Sequence, residues 1–129
     1  TTRIEENNSK IKYTGTWATA SEANSSDKNV KYTNVLNSSL KFNFTGTGIK
    51  IIAPTSADKG IAEVTIDGTT YNVDMYSLSY KSQNVVFEKK NLKKGTHTIS
   101  VKYTGMKNAS SNGKLISIDA FDIMDGDIL

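Results

Sequence analysis

The sequence predicts an all-β domain, an antiparallel sandwich of two sheets. Three observations carry that prediction. From Gly60 to Tyr76, Ala62, Val64 and Ile66 alternate with polar residues, and Tyr71, Val73 and Met75 do the same after Asp67-Gly68. That is the period of strands with one dry face, joined at a dipeptide that tolerates the positive φ of a primed turn. No stretch long enough for a helix carries a 3.6-residue apolar stripe. Turn residues recur about every ten positions, the spacing of sandwiches and barrels.

The hairpin nearly fixes its own register. A two-residue or a four-residue loop sets Val64 opposite Tyr71 and Ala62 opposite Val73, whereas a three-residue loop would throw the two apolar sets onto opposite faces. Before it, Arg3 to Glu6 and Lys10 to Thr14 read as an opening strand pair or one interrupted strand, with Ile4, Ile11 and Tyr13 inward. Gly15 to Asn29, rich in Ser, Asn and Ala around Trp17, reads as a surface loop. Val30 to Asn34 is a short strand, and Leu40, Phe42 and Phe44 alternate with Lys41 and Asn43 in a clear half-buried one. Ile49 to Pro54 is a strand closed by the only proline. Thr55 to Lys59 is a loop feeding the hairpin.

After the hairpin, Met75 to Lys81 is a polar loop and Gln83 to Lys89 a strand. His97, Ile99, Val101 and Tyr103 form the inward parity of the next strand, and Thr104 to Gly113 is a third polar loop. Leu115 to Ile123 closes the fold. Its apolar parity changes between Ile118 and Phe121, which reads as a bulge near Asp119 to Phe121. The pattern amounts to roughly eight to ten strands in one domain, residues 1–129.

Composition narrows the function classes. The 129 residues suffice for one core. A chain that opens Thr1-Thr2 reads as a module of a longer protein. No apolar run is long enough to insert in a membrane. The absence of cysteine excludes disulfides and thiolate chemistry without assigning a compartment. Net charge is +3, but Arg3 is the only arginine and the lysines are dispersed. A nucleic-acid surface needs a basic stripe interleaved with aromatics, so this charge reads as solubility and edge-strand protection.

Six blocks resemble a known family. They are Tyr13-Thr-Gly-Thr-Trp17, Phe44-Thr-Gly-Thr-Gly48, Gly60 to Gly68, Val73-Asp-Met-Tyr-Ser77, Leu92 to Ile99 and Ile118-Asp-Ala-Phe-Asp-Ile123. In order and spacing they resemble the galactose-binding-like jelly-roll modules of secreted bacterial glycoside hydrolases and cell-surface proteins. The resemblance implies a two-sheet jelly roll that binds glycan at loops of one end, or less often on a sheet face. It implies a secreted or cell-surface location and neighbouring domains in the parent chain. Some members carry a structural calcium held by an acid of the first strand and one of the last, for which Glu5 or Glu6 and Asp122 are the matching donors. Members of the fold bind sugars, lipids, proteins or nothing known, so a structural or protein-adhesion module is the alternative function.

Sugars are recognised by aromatic rings against their C–H faces and by amides or charged groups bonding hydroxyls. Tyr76 and Tyr80, beside Lys81 and Gln83, form one expected ligand cluster. Lys107, Asn108 and Asn112 of the third polar loop form another, together with Ser111. Trp17 is either a stacking platform or a plug at one end of the core. Catalysis has little to build on. His97 is the only histidine and reads as structural, and Asp67 and Asp74 are explained by turns. The expectation is a non-catalytic module that holds a parent protein against polysaccharide.

Overall fold

The computed structural model describes residues 1–129, which form twelve strands and no helix. Four strands make one sheet in the order β1 (Thr2–Glu5), β12 (Ala120–Met124), β6 (Gly48–Thr55) and β9 (Lys81–Lys89). Five make the second, in the order β2 (Lys12–Thr14), β5 (Ser39–Gly46), β10 (Gly95–Met106), β7 (Ile61–Ile66) and β8 (Thr69–Asp74). Neighbours within both are antiparallel. The two-sheet sandwich is therefore as the alternation required.

The hairpin takes the register that places both apolar sets on one face: Val64 pairs with Tyr71 and Ala62 with Val73. Asp67 and Gly68 both adopt positive φ, 49° and 86°, as a primed turn demands. Leu40, Phe42 and Phe44 of β5 meet Ile49 and Ile51 of β6 and Phe121 and Ile123 of β12 in the buried core. Phe42 stands edge-on to Phe121 across the sheets, with ring centres 4.9 Å apart. Each such side chain contributes about 1.5–3 kcal/mol by leaving water.

A third sheet is not visible in the sequence. β11 (Ile116–Ile118), β4 (Asn29–Thr33) and β3 (Ala18–Ser21) form a small antiparallel layer. Part of the expected Gly15–Asn29 loop is thus a strand, whose polar residues pair only along one edge. The parity change before Phe121 is not a bulge within one strand. The chain leaves the small sheet at Asp119, whose N–H donates to the Ile52 carbonyl at 2.9 Å, and enters the four-stranded sheet as β12. Pro54 lies in β6 where its pairing with β9 shifts, between Ala53 and Thr55, so its missing N–H falls at an irregularity.

Candidate functional site

The loop from Thr55 to Gly60, given no role by the sequence reading, is where the other loops converge. On one side the Ser77 N–H donates to the Ser56 carbonyl at 3.1 Å. On the other, the Asn112 N–H donates to the Ala57 carbonyl at 2.8 Å, and the Ser111 hydroxyl reaches the carbonyls of Ala57 and Lys59 at 2.9 and 2.7 Å. Two glycines permit this approach. A Cβ at Gly60 would come within 2.3 Å of the Lys114 carbonyl oxygen, and one at Gly113 within 2.6 Å of the Asp58 carbonyl oxygen.

Between these segments runs an open groove of about 510 Å³, lined by Asn34, Asp58, Tyr103, Lys107, Asn112 and Lys114 among others. Lys107 and Asn112 are two of the residues expected to meet ligand. Asn108 is turned away from them, donating to the Asp74 carboxylate at 3.0 Å. Lys107 is held by the Ser111 carbonyl at 2.9 Å, which fixes its direction without a counter-charge. The groove presents two ammonium groups, one carboxylate and two carboxamides, the mixture of donors and acceptors that hydroxyl recognition uses. Asn34, read in the sequence as the end of a strand, lies just beyond β4, and neither it nor Lys114 carries a spacing signal.

The other expected cluster stands apart. Tyr80 is 48% exposed and its hydroxyl donates to the Glu22 carboxylate. Gln83 is exposed and engaged at the surface, donating to the Asn24 carbonyl at 2.9 Å and accepting from Arg3 at 3.2 Å. Tyr76 is half-buried, its N–H donating to Asp74, and Lys81 is exposed at the start of β9. None of Tyr76, Tyr80, Lys81 and Gln83 lines the groove. Trp17 is half-buried: its indole N–H donates to the carbonyls of Thr14 and Ser39, both at 3.1 Å, and its ring packs edge-on to Tyr13 against the core.

A second site lies where β1 leaves its sheet. Glu5, Glu6 and Asp27 bring carboxylate oxygens within 4.8 Å of one another. Glu6 is only 1% exposed, and one oxygen of Glu5 and one of Glu6 are buried without any hydrogen-bond partner. Burial, followed by the Asp27 carboxylate, pushes the Glu6 carboxyl up to about 8. Burial likewise pushes the neighbouring Asp119 up to about 6. Orphaned, desolvated carboxylate oxygens fit a hard divalent cation such as calcium. Asp122, expected as the second donor, is elsewhere: Arg3 binds both its oxygens, at 2.7 and 2.8 Å, and holds its carboxyl below the usual range. Asp119, at the crossing between sheets, is the acid of the last segment that faces Glu5 and Asp27.

The single histidine is accounted for by its turn. His97 contacts the Asp67 carboxylate through Nδ1 at 2.5 Å and the Lys93 carbonyl through Nε2 at 2.6 Å, with Thr98 N–H also on Asp67 at 2.9 Å. Asp74 is engaged by the Tyr76 N–H and by Asn108. Neither acid is free to form a paired-carboxylate site.

The sandwich shares its fold with a carbohydrate-binding module and with parts of carbohydrate-active enzymes. A family 35 carbohydrate binding module from Clostridium thermocellum shares the fold with a TM-score of 0.58, 15% identity, and coverage of 95% of this chain and 98% of that one. A family two carbohydrate esterase from Cellvibrio japonicus does so with a TM-score of 0.68 and 11% identity, over 99% of this chain and 34% of the esterase. In sequence, an A type blood N-acetyl-alpha-D-galactosamine deacetylase from Flavonifractor plautii is 29% identical over 99 residues, 76% of this chain but only 13% of that enzyme. The family itself is set by residues 5–116, which match the model of the heme-binding protein Shr-like, Hb-interacting domain; the chain belongs to that family.

Proposed function

We propose that this domain is a non-catalytic binding module that holds a secreted or cell-surface parent protein against glycan, through the groove between the Thr55–Gly60 and Lys107–Leu115 segments. The observation that carries the reading is the groove itself, where Asn34, Asp58, Lys107, Asn112 and Lys114 surround Tyr103 in an open trough of about 510 Å³. A shallow site of this kind binds weakly alone and gains through tethering to neighbouring domains. One calcium at Glu5, Glu6 and Asp27 is part of the proposal, as a structural ion remote from the ligand. Affinity electrophoresis in gels containing a panel of polysaccharides tests the reading. Retention by at least one polysaccharide, lowered in Asn112→Ala and Lys107→Ala, is the expected result; migration unchanged by every polysaccharide refutes it.

A second reading is docking to a protein, and the family description names haemoglobin as the partner. Exposed apolar side chains favour it: Leu36 is 64% exposed and Met106 49%, and both line a trough that shares Tyr103 with the groove. Calorimetry with haemoglobin separates the two. Binding lost in Leu36→Asp and kept in Asn112→Ala selects protein docking.

A further inference from the structure

Lys59 is a buried ammonium with a single hydrogen-bond partner. Its main chain does the work of the loop: the N–H donates to Ser56 and the carbonyl accepts from Ser111. Its side chain, in a residue only 6% exposed, ends on the Ser117 hydroxyl at 2.9 Å, its one hydrogen-bond partner. An ammonium has three protons to donate. Burial holds the Lys59 pKa below its usual value, with Asp58 and Glu22 partly opposing that shift.

The ammonium sits in a recess of about 230 Å³ over one face of the small sheet. Tyr32 and Ser117, paired across β4 and β11, lie in its lining together with Val30, Glu22 and Asp58. Asp58 and Leu115 also line the larger groove, so the two hollows adjoin. One ammonium therefore stands among two carboxylates, an aromatic ring and aliphatic carbon. Two adjacent hydroxyls answer that arrangement: their oxygens accept from the ammonium while their protons go to the carboxylates. A sugar carboxylate would face Glu22 and Asp58, and an amino sugar's ammonium would face desolvated Lys59.

We propose that this recess is the anchoring subsite for a single neutral hexopyranose, whose vicinal hydroxyl oxygens are bridged by Lys59 Nζ while its C–H face lies on Tyr32. The inference rests on the glycan reading and names the place and charge of the ligand. Titration of the full chain with methyl α-galactopyranoside, methyl α-glucopyranoside and methyl glucuronide, followed by heteronuclear NMR, tests it. Shifts centred on Tyr32, Lys59 and Ser117 are expected with a neutral glycoside, and weaker binding of the glucuronide. Lys59→Met should weaken the neutral glycoside at least tenfold with little change in melting temperature, because burial disfavours the unpaired ammonium; Ser117→Ala should weaken it less. Unchanged affinity in Lys59→Met, tighter binding of the glucuronide, or shifts confined to Tyr76–Tyr80 overturns the subsite and leaves the glycan reading standing. A loss of melting temperature in Lys59→Met with affinity intact shows that the ammonium is structural, and also overturns it. Absence of any binding, to these glycosides and to the polysaccharide panel alike, removes both.

Discussion

His97 and Asp67 show how one residue pair fixes a turn. Burial alone would push the His97 pKa down; the hydrogen bond to Asp67 and then the Lys93 carbonyl outweigh it and leave it raised. Desolvation, the largest single influence on Asp67, pushes its carboxyl up, but the Thr98 N–H and His97 together outweigh it and bring the carboxyl down. A raised histidine contributes stability that is complete below its unfolded pKa of about 6.5 and is lost as pH rises through the folded value. A depressed aspartate contributes above its unfolded pKa of about 3.9 and loses that contribution as pH falls through the folded value. The pair should therefore support the fold most between those two limits, and the melting temperature should decline as pH rises from about 6.5 through the raised folded value. In His97→Gln that alkaline decline should disappear. With Asp67 half exposed, the contribution is modest, below about 1 kcal/mol. The inward parity of His97 and the turn at Asp67-Gly68 are readable in the sequence; their contact, thirty residues apart in the chain, depends on strand pairing between β10 and β7.

At the scale of elements, the legible parts are those with a dry face. β5, β7, β8 and β10 each carry enough alternation to declare themselves. β3 does not, because Ala18, Thr19, Ala20 and Ser21 bury no large side chain and pair with β4 alone. The passage from β11 to β12 is hidden because three-residue β11 is buried on every position, so its parity carries no information. The groove is half legible: Lys107 and Asn112 stand out as polar loop residues, but Asp58 lies in a short connection with no pattern. The close approach of that connection to the 107–115 segment rests on Gly60 and Gly113. Gly60→Ala should cost about 1–3 kcal/mol, since backbone on both sides must move. Thermal denaturation reads this loss, and Gly68→Ala, whose Cβ would meet nothing within 4 Å, reports the cost of positive φ alone.

For the whole molecule, the acid cluster ties the first strand, the Glu22–Asn29 turn and the crossing at Asp119 together. Their mutual repulsion is relieved when a cation binds the folded state and not the unfolded one, which stabilises by mass action. Millimolar calcium should raise the melting temperature relative to a chelator by several degrees, and Glu6→Gln should abolish the difference. An equal melting temperature in calcium and chelator would remove the ion from the proposal.

The Glu22–Asn29 turn touches both the acid cluster and the recess around Lys59. Below, the Ser26 N–H binds the Asp119 carboxylate at 3.1 Å, its hydroxyl binds Glu5 at 2.8 Å, and Asp27 joins the acid cluster. Above, Glu22 accepts from Tyr80 and forms part of the wall around Lys59. An ion that steadied the lower side would also steady the wall, and reciprocity of binding free energies would then require the converse. Sugar seated beside Glu22 would then raise the affinity for the metal, so the two occupants, which never meet, would each bind more tightly in the other's presence.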